Sequence, residues 1–200
     1  MTTLLATWRE PGPIAMNAAW AARNKGADLG STLEAGLAAC ELDPSLIAIG
    51  LGSLPNADGE LELDAAIIDG KDLLAGAVCS VRGIVPVISV AKRVMEETSH
   101  VMLSGDQARR FAISKGFRPQ NLMTEENCRR YDEWLTDPES TTDSYHHAVD
   151  GNNHGDTVTM LGLEDGPHTV AASSTSGLQW KLPGRVGDSP IIGAGIYADD

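Results

Sequence analysis

Asp156 and Thr157 stand where a polar stretch of chain runs into an apolar one. A threonine there can do chemistry that an interior threonine cannot. Cleavage of the Asp156–Thr157 bond frees an α-amine on Thr157, beside its own hydroxyl. That amine can serve as the base that activates the nucleophile. Taken alone the dipeptide is weak, since Asp-Thr is common at a loop–strand boundary. Arg185 is the second feature. No Lys or Arg occurs from Tyr131 to Trp180, and Lys181 and Arg185 are the only two that follow. Arg185 lies between Gly184 and Gly187, with Asp188 next, and glycines let a backbone approach a ligand closely. A guanidinium forks onto a carboxylate and an Asp accepts from an ammonium, so the two match the charges of an amino acid. A surface turn with an internal ion pair fits the same residues.

Two other patterns fail. Gly50-Leu-Gly52-Ser-Leu-Pro55 hints at a nucleotide loop, but Pro55 replaces the last glycine and a turn follows where a helix N-terminus is needed. His146, His147 and His154 with Asp143, Asp150 and Asp156 match no closed zinc spacing. They read as a solvated linker, and no cofactor is expected. The chain carries 15 Lys+Arg against 28 Asp+Glu, a net charge of −13, with a pI near 4.7. Phosphate backbones and anionic membranes are repelled by such a surface, so neither is an expected partner. Cys40, Cys79 and Cys128 are odd in number and far apart, which suits reduced thiols better than a disulfide framework. The start, MTTLLATWRE, has no basic or long apolar leader region, and no run of apolar residues is long enough to span a bilayer. A cytoplasmic location is expected.

The elements that must position these residues alternate between helix and strand. Residues 4–8 read as a strand reaching Trp8. Pro13 opens an Ala-rich helix ending near Gly26. Ser31-Thr-Leu-Glu34 is a capping-box pattern for a second helix, to about Leu42. Leu46–Leu51 reads as a short buried strand. Leu61, Leu63, Ala65 and Ile67 alternate with Glu62, Asp64 and Ala66, which predicts a half-buried strand with the acids on the wet face. Leu74–Val81 is a further strand. Val87, Val90, Ala91, Val94 and Met95 fall on one helical stripe. A short strand at Val101–Leu103, a helix from Ser104 to Gly116 and a helix over 124–135 follow. Residues 136–156 form a polar linker without Lys or Arg. Thr157–Leu163 and His168–Ser174 read as two strands around the Asp165-Gly166 turn. The tail, 175–200, is rich in Gly and Pro and shows no helix.

Taken together, NHGDTVTMLGL and VAASSTSGLQWKLPGRVGDSPIIGAGIYADD closely resemble the glycosylasparaginase branch of the N-terminal-nucleophile hydrolases. Asp156-Thr157, Ser174-Thr175-Ser176-Gly177, Gly184–Pro190 and Gly193–Asp199 match that family in order and spacing. Thr7-Trp8, Glu34-Ala-Gly36, Leu54–Gly59 and Leu63–Gly70 match it in the first half. The isoaspartyl peptidase branch shares GRVGDSP but has a His-Gly-Gly stretch where this chain has Thr7-Trp8. The resemblance implies an α+β fold, a four-layer αββα sandwich, in one domain. Residues 1–156 would be its α-chain-like part and 157–200 a short β-chain-like part. It implies autocleavage at Asp156–Thr157 and hydrolysis of the side-chain amide of asparagine or N-linked glycosylasparagine by Thr157. By the same correspondence Thr175 hydrogen-bonds the nucleophile hydroxyl, Trp8 helps position nucleophile and substrate, Arg185 holds the α-carboxylate and Asp188 the α-amine. The family continues past the position of Asp200, so C-terminal truncation is expected, with a homo-oligomer or a complementing chain covering the exposed core. Thr159 stands where the family has Gly and shares a strand face with Thr157, where it is expected to crowd the site. An uncleaved, non-catalytic remnant that binds an amino acid or a partner chain is the alternative.

Overall fold

The computed structural model describes residues 1–137 and 157–200, which form six strands and five helices. The strands are β1 (Thr2–Ala6), β2 (Glu62–Asp69), β3 (Leu74–Arg82), β4 (Met102–Ser104), β5 (Thr157–Glu164) and β6 (Thr169–Thr175). The helices are α1 (Pro11–Arg23), α2 (Leu29–Glu41), α3 (Val87–Glu97), α4 (Gly105–Ser114) and α5 (Glu125–Thr136). One sheet runs β1-β5-β6-β2-β3-β4, antiparallel throughout except for the parallel β3–β4 pair. This is a mixed α/β fold.

One sheet face carries the main core. Leu63, Ala65 and Ile67 of β2, Val158 and Met160 of β5, and Val170 and Ala172 of β6 meet Ala15 and Ala19 of α1, Leu33 and Leu37 of α2, and Val90 and Val94 of α3. Alternation along each strand turns the intervening residues to the other face. There a smaller cluster forms from Ala66, Ile68, Ala77 and Ala171 with Ile196 and Ala198 of the tail. The tail is tied back along β6, where Asp200 accepts from the amide of Thr169 at 2.7 Å. Helix-free as expected, it acts as a partial second layer.

Several boundaries shift, each for a local reason. Asp28, not Ser31, caps α2, its Oδ1 accepting from the amide of Ser31 at 2.7 Å. Strand β1 stops at Ala6, and Trp8 follows it with a φ of 69°. Leu46–Leu51 is not a strand. Gly50 and Gly52, at φ 63° and 92°, turn the chain back on the end of α2, where the amide of Leu51 donates to the carbonyl of Glu41 at 2.7 Å. A Cβ on Gly50 would lie 2.1 Å from that carbonyl oxygen, so only glycine fits. Strand β2 is buried on both faces rather than half-buried, and its acids Glu62 and Asp64 point inward.

Candidate active site

Thr157 is the first residue of β5, paired between β1 and β6. Its carbonyl oxygen accepts from the indole Nε1 of Trp8 at 2.6 Å and from Thr7 Oγ1 at 3.5 Å. Thr7 also exchanges two bonds with Thr159: its amide donates to the Thr159 carbonyl at 2.9 Å, and its hydroxyl accepts from the Thr159 amide at 2.9 Å. Thr7-Trp8 therefore clamps the start of β5 from the sheet edge. Trp8 holds its left-handed backbone while 42% exposed, a conformation that costs a non-glycine residue about 1–3 kcal/mol. Such strain persists where surrounding contacts enforce it, and the bond to Thr157 is one of them.

The hydroxyl of Thr157 lies 2.7 Å from that of Ser189. Ser189 is buried, and its own carbonyl accepts from Ser173 Oγ at 2.7 Å, which fixes it against β6. Ser189 belongs to the GRVGDSP stretch, yet nothing in the sequence reading assigned it a role. Thr175 is the register partner of Thr157 across the β5–β6 pair, and its hydroxyl accepts from the amide of Gly177 at 2.9 Å. Thr159 is half-buried, two residues along the same face. Asp156 lies outside the described residues, as do the three linker histidines.

Arg185 and Asp188 sit on the loop after β6. The guanidinium rests against Gly177, where a Cβ would meet Arg185 Nη1 at 3.1 Å. Gly177 has a φ of 73°, so glycine serves both the turn and the close approach. Asp188 is exposed. Among the described residues Arg185 and Asp188 form no ion pair with each other. The internally neutralised turn is thus not what folds.

Two buried acids of β2 frame this loop. Glu62 Oε2 accepts from the amide of Gly184 at 2.9 Å and from Asn56 Nδ2 at 3.1 Å, while its carbonyl accepts from Lys181 Nζ at 3.2 Å. Asp64 Oδ1 accepts from the amide of Ser80 at 2.7 Å. Burial, with the neighbouring Glu62 carboxylate, holds the Asp64 carboxyl above its ordinary value against the pull of the Lys181 ammonium, the Ser80 amide and the Arg185 guanidinium. The Leu54–Gly59 stretch straps the loop from outside: Trp180 donates its amide to Pro55 and Ala57 donates to Lys181, each at 2.9 Å. Helix α5 holds that strap. Asn127 Nδ2 donates to the Ser53 carbonyl, Tyr131 donates to the Ala57 carbonyl at 3.1 Å, and Trp134 stacks on Trp180 at 5.0 Å.

The arrangement brings a hydroxyl, an Arg–Asp couple that forms no pair of its own among the described residues, and a clamped backbone to one end of the sheet. Ser189, Glu62, Asp64 and Lys181 complete it. A signal for one of them was present, since Lys181 and Arg185 are the only cations after Tyr131. Two cations isolated in an acidic chain need buried counter-charges. The acids of β2 were the nearest candidates once that strand was not assumed to have a wet face.

The asparaginase family model matches residues 10–200. The chain is 41% identical over 197 residues to an N(4)-(beta-N-acetylglucosaminyl)-L-asparaginase of Elizabethkingia miricola, covering 98% of this chain and 56% of that protein. It is 38% identical to the protein of that name from Rattus norvegicus, over 97% of this chain and 63% of that protein. An isoaspartyl peptidase/L-asparaginase of Rattus norvegicus is 40% identical over a shorter stretch, 84% of this chain and 49% of that protein. The chain therefore spans between about half and two thirds of the length of these relatives. On the family match, which runs through β5, β6 and the Arg185 loop, the chain belongs to the asparaginase family.

Proposed function

We propose that this chain carries the nucleophile and the amino-acid site of an amidohydrolase of the glycosylasparaginase/L-asparaginase type. The carrying observation is that Thr157 stands clamped at the start of a strand, its hydroxyl fixed 2.7 Å from Ser189, in a chain matched by the family along nearly its whole length. Scission of the Asp156–Thr157 bond leaves Thr157 with a free α-amine. That amine takes the hydroxyl proton as Oγ1 attacks the side-chain amide carbon of the substrate. The C–N bond breaks, ammonia or a glycosylamine leaves with the proton, and a β-aspartyl ester remains on Thr157. Water, activated by the same amine, hydrolyses the ester to aspartate. Arg185 binds the α-carboxylate and Asp188 the α-ammonium. Trp8 orients Thr157 through its carbonyl, and Thr175, opposite in register, completes the wall of the site.

The sheet face opposite the helices extends this proposal. Leu5, Leu161, Leu163 and Tyr197 are exposed there around a groove of about 400 Å³. A second sheet laid over that groove gives the four-layer αββα sandwich. In the isolated chain, a second copy or a complementing chain takes that place.

The test combines intact mass with turnover. Freshly purified protein is expected to resolve into two species that split between Asp156 and Thr157. Incubation with asparagine is expected to release aspartate and ammonia, and Thr157→Ala to abolish both cleavage and release. A single 200-residue mass, or release undiminished in Thr157→Ala, removes Thr157 from the mechanism. A single mass with amino-acid binding but no turnover would leave the non-catalytic alternative.

A further inference from the structure

Ser189 touches the nucleophile, and the fold holds Ser189 from two sides. Its Oγ lies 2.7 Å from Thr157 Oγ1, and the residue is buried. On the sheet side, fully buried Ser173 of β6 donates its hydroxyl to the Ser189 carbonyl at 2.7 Å. Ser173 stands two residues before Thr175, the register partner of Thr157, so Ser173 and Thr157 share one sheet face. On the other side, the tail turns onto Ser189. Ile191 donates its amide to the Asp188 carbonyl at 2.8 Å, and Gly195 donates to the Ile191 carbonyl at 3.0 Å. A Cβ on Gly195 would lie 2.4 Å from the Asp188 oxygen and 2.6 Å from Ser189 Cα, so the tail packs there backbone against backbone. Pro190 narrows the backbone choices of Ser189 further. The short side chain of Ser189 is thus delivered to Thr157 by a backbone that has little freedom. Of two hydroxyls 2.7 Å apart, one donates to the other, and the direction has chemical consequences. If Thr157 donates, its proton is turned to Ser189 rather than to the α-amine. If Ser189 donates, Oγ1 is held through a lone pair and its own proton stays available. A donor at Oγ1 also favours the negative charge that grows there as the proton leaves.

We propose that Ser189 is a catalytic residue of the Thr157 site: its hydroxyl donates a hydrogen bond to Thr157 Oγ1, which fixes the nucleophile's side chain and leaves the Thr157 proton to the α-amine. The step balances within Thr157. The Oγ1–H proton passes to the α-amine as Oγ1 bonds to the amide carbon, and Ser189 keeps its own proton. Ser189 is therefore a donor and not a base. The catalytic consequence rests on the proposed role of Thr157; the fixing of the Thr157 side chain does not. The opposite polarity has the opposite sign: a Ser189 that accepts competes with the amine, and its removal leaves turnover unchanged or faster.

Ser189→Ala removes the hydroxyl and leaves the backbone bond to Ser173 in place. Two readouts test the proposal. The first needs no activity: the χ1 angle of Thr157, followed in the purified protein by the three-bond coupling between its carbonyl carbon and Cγ2. A single rotamer in the wild type and averaging in Ser189→Ala are expected. Equal order in both overturns the proposal. So does a Thr157 side chain that already averages in the wild type, a result that stands even where the variant fails to fold. The second readout is asparagine turnover, with kcat counted per chain split between Asp156 and Thr157. Ser189→Ala is expected to lower kcat about tenfold to a hundredfold and to leave KM within about twofold. An unchanged or raised kcat overturns the proposal, and so does a loss confined to KM, which would make Ser189 part of substrate binding alone. A wild type that does not turn over asparagine would sink the amidohydrolase reading instead. In that case, or where Ser189→Ala yields no split chain, the χ1 comparison decides whether Ser189 holds Thr157.

Discussion

Among the described residues three acids are buried, and each is stabilised differently. Glu62 Oε2 binds the turn at Gly184, Asp64 Oδ1 accepts from the amide of Ser80, and Glu41 lies at the end of α2. Glu41 accepts from the amides of Val87 and Ile88, the latter at 2.9 Å, and so caps α3, whose N-cap residue Pro86 has no side chain to offer. Complete burial outweighs the pull of the Ile88 and Val87 amides, and the carboxyl is pushed up to about 7. In the unfolded chain it titrates near 4.5. Between those values the folded state holds a proton that the unfolded state has released, so the slope of stability with pH is negative. Stability is full below about 4.5 and is lost as pH rises through about 7, a change on the order of 3 kcal/mol. Urea denaturation at a series of pH values from 5 to 8 is expected to show this decline in the wild type and a flatter profile in Glu41→Gln. An unchanged profile in Glu41→Gln would assign the decline elsewhere. Nothing local in the sequence marks Glu41, because its partners open α3, beyond strands β2 and β3 in the chain. Arg185 and Asp188 stand out in the sequence because charge isolation and glycine spacing are local, and Thr157 because a polar stretch meets an apolar one there.

At the scale of elements, periodicity located most helices and strands, and failed where a glycine or a second buried face intervened. Leu46–Leu51 has the composition of a strand, but Gly50 and Gly52 fold it against α2 before any strand can pair with it. Strand β2 has the alternation of a half-buried strand, yet its acidic face meets Lys181 and the Arg185 loop. Tertiary partners thus overrode a pattern that was correct about the strand itself. Glycine decides the packing of α2 as well. A Cβ on Gly36 would lie 2.8 Å from the carbonyl oxygen of Ala15 in α1 and 2.4 Å from Met160 Sδ in β5. The methionine can swing aside, but a helix carbonyl cannot. Gly36→Ala gains about 1 kcal/mol of helix propensity and loses about 1–3 kcal/mol to overpacking. Because the obstruction includes backbone on one side and sheet on the other, the loss is expected to win by up to about 2 kcal/mol, lowering Tm by up to about 6 °C. A calorimetric Tm at or above the wild-type value would mean that α1 and α2 separate more easily than their contact suggests. It would also matter to the site, since α1 follows directly from the Thr7-Trp8 clamp.

Among the described residues one sheet face is well covered and the other is partly covered. On the second, the tail lays Ile196 and Ala198 over Ala66, Ile68 and Ala171 but leaves the β1–β5 side open. Leu5 is 53% exposed, Leu161 and Leu163 are each 44% exposed, and Tyr197 is 58% exposed around the groove. Apolar surface of that kind, contiguous and flanked by an edge strand, drives association. The acidic surface opposes it, because a net charge of −13 repels a second copy. The two forces respond differently to salt. Screening shortens the reach of the repulsion and leaves the hydrophobic contact intact. Sedimentation velocity is therefore expected to show a species heavier than the 21.1 kDa chain, and its share is expected to rise as ionic strength increases. Leu161→Ser with Leu163→Ser removes apolar side chains on the open face of β5 and is expected to shift the distribution towards the monomer, with an unchanged circular dichroism spectrum. A monomer at every salt concentration would mean that the open face does not bind a second copy. Association that salt weakens rather than strengthens would place the contact on charged surface instead, away from the groove between β1, β5 and the tail.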